Sequence, residues 1–245
     1  DEYINKKKNL HPNLHKLTNF VKNKNVIFYG PPGIGKYTQV LNFIKNESPS
    51  KLKYERKLNI TLGKKHYMFK ISDIHFEVDM QILGCNAKIL WNQLYYLIID
   101  IISSRENKKG IIVCKNFQNI HTELLDIFYS YMQTLHHNSL DIKFVILTEE
   151  LSFIPDSIVS RSRVIRIPRP SRTQYNKCLK NSVGKDIKLS EITNMKNINA
   201  SVRQLMRPYE VICDEIIESI VDVENLKFME MRDRLYDLLI YSLDV

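Results

Sequence analysis

Val26-Ile27-Phe28-Tyr29-Gly30-Pro31-Pro32-Gly33-Ile34-Gly35-Lys36-Tyr37-Thr38 runs an apolar segment straight into a glycine-rich loop that ends on a lysine. The apolar residues suit a buried strand, and residues 30–36 read G-x-x-x-x-G-K, a phosphate-binding loop. Its glycines let backbone N–H groups curl around phosphate oxygens, and the N-terminus of the following helix adds a favourable dipole. Lys36 would reach the β- and γ-phosphates. The residue after that lysine is ordinarily Ser or Thr, whose hydroxyl holds Mg²⁺. Here it is Tyr37, and Thr38 offers a hydroxyl only at the next position. The expectation is that Gly30, Pro31, Pro32, Gly33, Ile34, Gly35, Lys36, Tyr37 and Thr38 contact a nucleoside diphosphate or triphosphate, ADP or ATP. Thr38 is the weak candidate metal ligand, and the motif leaves Mg²⁺ and hydrolysis open.

Working outward, the helix from 36 to 44 is stopped by Ser48-Pro49-Ser50. Residues 58–62 and 67–71 alternate as strands around the turn Gly63-Lys64-Lys65, and 75–78 reads as another strand. A long helix fits 87–103, a buried strand 110–114, a helix 122–135 and a second buried strand 143–148. A last strand at 164–167 precedes Pro168-Arg169-Pro170. Strands alternating with helices imply an α/β fold with a parallel sheet and a phosphate site at the C-terminal ends of its strands. Before the first strand, 14–21 has a helical pattern. After Pro170 only helical patterns occur, at 172–181, 189–194, 201–206 and through 208–243. Trp91, Tyr95 and Tyr96 recur at helical spacing and are expected in the core.

The 245 residues suffice for one sizeable core with a satellite domain, and the net charge of +9 favours acidic partners, nucleic acid first. A Lys-, Asn- and Ile-rich composition drawn from an AT-rich genome explains that charge equally well. Cys85, Cys114, Cys178 and Cys213 form no C-x-x-C pair and are expected as free thiols in a reducing compartment. No apolar run approaches 18 residues, so no membrane is expected. A nuclear or cytoplasmic location follows, or a viral replication site if the source is viral.

Several motifs stand in one order: the P-loop, a strand ending in Lys115-Asn116, the run from Phe144 to Glu149, then Ser160-Arg161-Ser162-Arg163 and a Pro-x-Pro break. This order resembles the AAA+ ATPases of the clamp-loader group, the replication factor C small subunits and bacterial delta-prime. It is most similar to the eukaryotic small subunit whose P-loop reads G-K-K-T, matched here by Gly35-Lys36-Tyr37-Thr38. His75-Phe76-Glu77-Val78, the Lys-rich hairpin before it, Gly84 and Lys88 add to the likeness, which covers residues 10–206. The resemblance implies an AAA+ P-loop core over 1–167, a helical lid over 168–207 and the start of a helical collar over 208–245. It implies other clamp-loader subunits in a hetero-oligomer, a sliding clamp and the backbone of primer–template DNA as partners in DNA replication.

The same resemblance assigns roles residue by residue. The family's Walker B Asp-Glu would hold Mg²⁺ and polarise water at the place of Lys115 and Asn116, and its sensor 1 would stand at Glu149. Three hydrolytic positions therefore depart together. Arg161 matches the arginine that clamp loaders project into a neighbour's ATP site, although a surface arginine in a basic stretch explains it too. Arg203 stands at the sensor 2 position, or in a lid ion pair. Lys88 falls where the family follows DNA phosphates, or is simply solvated. The chain also lacks the family's W-x-x-K-Y-R-P opening, and its last apolar run, 238–241, needs a cover. Three readings result: a clamp-loader small subunit silent in its own site, a catalytically dead AAA+ scaffold, and an active ATPase with an unusual Mg²⁺ site at Thr38.

Overall fold

A computed structural model describes residues 10–12, 14, 25–63, 65–133, 140–178, 183, 188–192, 208–221 and 228–240. The chain divides into two compact units, one of residues 1–31 with 35–170, the other of 32–34 with 171–245.

The first unit is a seven-stranded sheet with helices. Its elements are β1 (Asn25–Tyr29), α1 (Lys36–Lys45), β2 (Arg56–Leu62), β3 (Lys65–Ile71), β4 (His75–Asp79) and α2 (Met80–Leu83). They continue with α3 (Ala87–Ser103), β5 (Lys109–Lys115), α4 (Thr122–Gln133), β6 (Asp141–Thr148), α5 (Asp156–Val159) and β7 (Ser162–Arg166). The strand order is β2-β3-β4-β5-β6-β1-β7. The pairs β4–β5, β5–β6, β6–β1 and β1–β7 are parallel. The sheet is nevertheless mixed, not wholly parallel as the alternation of strands and helices implies, because β2–β3 and β3–β4 pair antiparallel. The reason is local: Gly63, at φ 61°, turns β2 back onto β3. Ser72–Ile74 is too short to carry a crossover, and it closes instead through the Ser72 N–H to the His75 carbonyl at 2.8 Å.

The inner strands are buried on both faces, which is why Ile111 to Cys114 and Phe144 to Leu147 read as unbroken apolar runs. Helix α3 lays Leu90, Trp91, Leu94, Ile98 and Ile102 against them at helical spacing. It lies so close to β5 that a Cβ on Gly110 would stand 2.3 Å from Ile102 Cδ1. Trp91 and Phe128 pack at 5.1 Å between centroids, Phe128 and Phe144 at 5.6 Å. Trp91 and Tyr95 are core residues as expected; Tyr96 is not, being 58% exposed beside Tyr95. The one-turn helices α2 and α5 are too short to leave a periodic trace in sequence.

The second unit holds α6 (Arg172–Cys178), α7 (Pro208–Val221) and α8 (Phe228–Ile240). Tyr175, Cys178, Val183 and Ile192 are buried there, and Asn176 Oδ1 accepts the Val183 N–H at 2.8 Å. The helical stretch expected through 208–243 is thus two helices, clasped by Arg234 donating to Ser219 Oγ at 2.6 Å. The expected helices at 14–21 and 201–206 fall almost wholly outside the described residues. No described helix is long and apolar enough to cross a membrane.

Candidate nucleotide site

β1 buries Val26, Ile27 and Phe28, and the chain leaves its C-terminal end through the glycine-rich loop. Gly33 and Gly35 take φ of 74° and 81°, left-handed conformations that cost an L-residue about 1–2 kcal/mol. Gly35 thereby starts α1, and Lys36 is the first residue of that helix.

Lys36 folds back on its own loop. Its Nζ donates to the carbonyls of Gly30 at 2.7 Å and Pro31 at 2.9 Å. Glu149 Oε1, just beyond the end of β6, lies 3.7 Å away. Burial lowers the pKa of the ammonium, Glu149 opposes that, and Arg169 adds to it. The loop carbonyls and Glu149 thus meet the charge that a nucleotide phosphate would meet.

Tyr37 points elsewhere. Its hydroxyl donates to Glu77 Oε1 at 2.5 Å. Burial first, then that hydrogen bond, raise its pKa far above the ordinary phenol. His75 Nε2 donates to the same oxygen at 3.1 Å, and its Nδ1 meets Ser72 Oγ at 2.5 Å. Lys115 Nζ sits 3.3 Å from Glu77 Oε2 and 5.1 Å from the centroid of the Tyr37 ring. The Glu77 side chain is 3% exposed. Burial alone would raise its pKa; the hydrogen bonds from His75 and Tyr37 and the charge of Lys115 outweigh it and hold the carboxyl at about 2. Beside Tyr37 opens a cavity of about 220 Å³, lined among others by Leu41, Leu52, Ile71 and His75.

At the two positions where the resemblance would put the holders of Mg²⁺ stand a phenol bonded to Glu77 and an ammonium. Mg²⁺ demands near-octahedral oxygen ligands, and these residues do not fit it. Thr38 is half-buried in the first turn of α1, and among the described residues no group of three His, Cys, Asp or Glu can hold a metal ion. Asn116, at φ 50°, gives its amide to both Asp79 oxygens at 3.0 Å, and Gln118 Oε1 accepts the Glu149 N–H at 3.3 Å.

Among the other sequence candidates, Arg161 is exposed just beyond α5, its guanidinium 5.4 Å from the Tyr129 ring centroid. Lys88 is exposed in the first turn of α3. Arg203 lies outside the described residues. The structure gathers Gly30, Pro31, Lys36, Tyr37, Lys115 and Glu149, and it adds His75 and Glu77, which sequence reading used only as family markers. Their signal was present: His75 and Glu77 alternate on one face of a short strand with apolar Phe76 and Val78 between and after them, a costly place for charge unless it is paired.

No family model matches the chain. Replication factor C subunit 5 of Saccharomyces cerevisiae is 25% identical over 232 residues, covering 84% of this chain and 65% of that protein. The chain thus spans about 65% of the length of the curated relative it matches. Among solved structures, the Thermotoga maritima RuvB Holliday junction branch migration motor aligns over 94% of this chain and 67% of its own, at TM-score 0.43 and 11% identity. Saccharomyces cerevisiae RIF2 aligns over 77% and 66%, at TM-score 0.43 and 17% identity. Structural likeness at that level is too slight to add to the assignment. The chain thus has an α/β core with a glycine-rich loop at 30–36, and along most of its sequence it resembles replication factor C subunit 5.

Proposed function

We propose that this chain acts as a clamp-loader-type small subunit that holds ADP or ATP in its P-loop without turning it over, and that it serves a neighbour's site through Arg161. The observation that carries this reading is Lys115, whose ammonium faces Glu77 at 3.3 Å where the resemblance expects the Walker B carboxylate. A hydrolytic site needs a carboxylate there to hold the metal and position water. Glu149 supports the same conclusion, because its carboxylate pairs with Lys36 at 3.7 Å and would repel a γ-phosphate. Arg161 is exposed and lies in Ser160-Arg161-Ser162, so its guanidinium can reach a docked partner. Its partners would be other clamp-loader subunits, a sliding clamp and the backbone of primed DNA, with Lys88 following phosphates. Residues 168–207 would form the lid, carrying Arg203, and 208–245 the first part of the collar. The setting would be nuclear replication.

The test has two arms. The purified chain should bind a fluorescent ADP analogue, lose it on Lys36→Ala, and show no ATP turnover; turnover abolished by Lys36→Ala refutes the silent site. The chain should also co-purify with other replication factor C subunits, and Arg161→Ala should lower the assembled complex's ATPase by at least about tenfold without disturbing assembly. Failure to co-purify favours the dead-scaffold reading.

A further inference from the structure

We propose that this P-loop binds its nucleotide without a divalent cation, the Lys115 ammonium standing in for the metal. The inference rests on the reading that the loop holds a nucleotide. In a P-loop protein the metal is held by the hydroxyl after the lysine and by a carboxylate at the end of another strand of the sheet. Tyr37 and Lys115 occupy those two places, and the Lys115 ammonium hangs 5.1 Å from the Tyr37 ring centroid. A fixed positive charge therefore stands in the sequence position whose carboxylate would hold the ion, beside the residue that follows Lys36. A metal entering there would meet that ammonium as a like charge.

Three features suit Lys115 to phosphate. Its side chain is 27% exposed, so it is not sealed within the core. Its approach to Glu77 Oε2 at 3.3 Å is an ion contact, and that oxygen takes part in no described hydrogen bond, so the N–H donors of Lys115 are not spent on it. Glu77 is in turn fixed through its other oxygen by Tyr37 at 2.5 Å and His75 at 3.1 Å, so it anchors the lysine without following it. Lysine suits this task because it serves phosphate as a compact charge with rotatable donors. Lys36 would give up its two loop carbonyls to the β-phosphate, and Lys115 would supply the second charge that Mg²⁺ otherwise brings.

The experiment titrates the full chain with N-methylanthraniloyl-ADP in excess Mg²⁺ and in EDTA, with Lys36→Ala as the loss-of-site control. The expected result is the same Kd in both buffers. Lys115→Met should weaken binding in EDTA by at least about tenfold, the effect of losing one charge-assisted contact. Lys115→Asp should bind tightly only with Mg²⁺. Paramagnetic resonance should show no Mn²⁺ held by the wild-type complex with ADP, and Trp91 fluorescence checks that each variant is folded. Wild-type binding more than about tenfold weaker in EDTA overturns the proposal and leaves nucleotide binding standing. Binding no better than Lys36→Ala in either buffer removes both. A Lys115→Met protein that binds like wild type in EDTA also overturns it.

Discussion

Replacing Glu77 by glutamine isolates the charge on which the site is built. The carboxyl stands at about 2 in the folded chain against 4.5 for an ordinary glutamate. At about 1.4 kcal/mol per tenfold, that difference amounts to about 3 kcal/mol of stability carried by the ionised form. Because the folded value is depressed, this contribution is complete above 4.5 and drains away as the pH falls through about 2. Glu77→Gln cannot titrate. It keeps an oxygen for Tyr37 and His75, leaves Lys115 without its counter-charge, and should be less stable than wild type by about 3 kcal/mol near neutrality. That gap should close as both proteins approach about pH 2. Urea denaturation followed by the fluorescence of Trp91, the single tryptophan and a buried one in the same unit, reads the relevant core. A gap between the two proteins that stays constant from neutral to acid pH would refute the claim that the ionised Glu77 is what Tyr37, His75 and Lys115 stabilise.

Other outcomes are open to measurement. Tyr37→Phe removes the O–H held at 2.5 Å by Glu77 and should cost about 1–3 kcal/mol in the same titration. Gly110→Ala would push a methyl group to 2.3 Å from Ile102 Cδ1, so the Ile102 side chain or α3 must give, at about 1–3 kcal/mol. Cys85 is exposed and should react at once with a thiol reagent. Cys114 is buried, and burial pushes its thiol pKa up, so mass spectrometry should find it labelled only after unfolding.

The P-loop, the strands and α3 were legible because each is written in periodicity or in glycine placement. The loop at 30–36 could be read directly, since left-handed Gly33 and Gly35 are needed to turn the chain into α1. The departures at Tyr37, Lys115 and Glu149 were also visible, but only as losses. What they gained could not be read, because the Tyr37–Glu77 bond joins residues 40 apart in sequence, and no local pattern records a partner at that distance. The β2–β3 hairpin was legible in its turn at Gly63, whereas the antiparallel step from β3 to β4 escaped because the reversal through Ser72, Asp73 and Ile74 has no Gly or Pro and pairs only two residues on each strand. Tyr96 was misplaced because it follows Tyr95, and adjacent helical residues point in different directions.

The seam between β3 and β4 has a consequence of its own. The ladder there pairs only Lys70 with Glu77 and Ile71 with Phe76, closed by the Ser72–His75 bonds, whereas β2 and β3 are zipped along their whole length. The β2–β3 ribbon is thus tied to the sheet by a short ladder and by Ile60 and Phe69 packed in the core, whereas β5 and β6 have paired neighbours on both sides. Its amides should exchange with deuterium well before theirs, as an early-opening unit at the lysine-rich margin of an otherwise slow core.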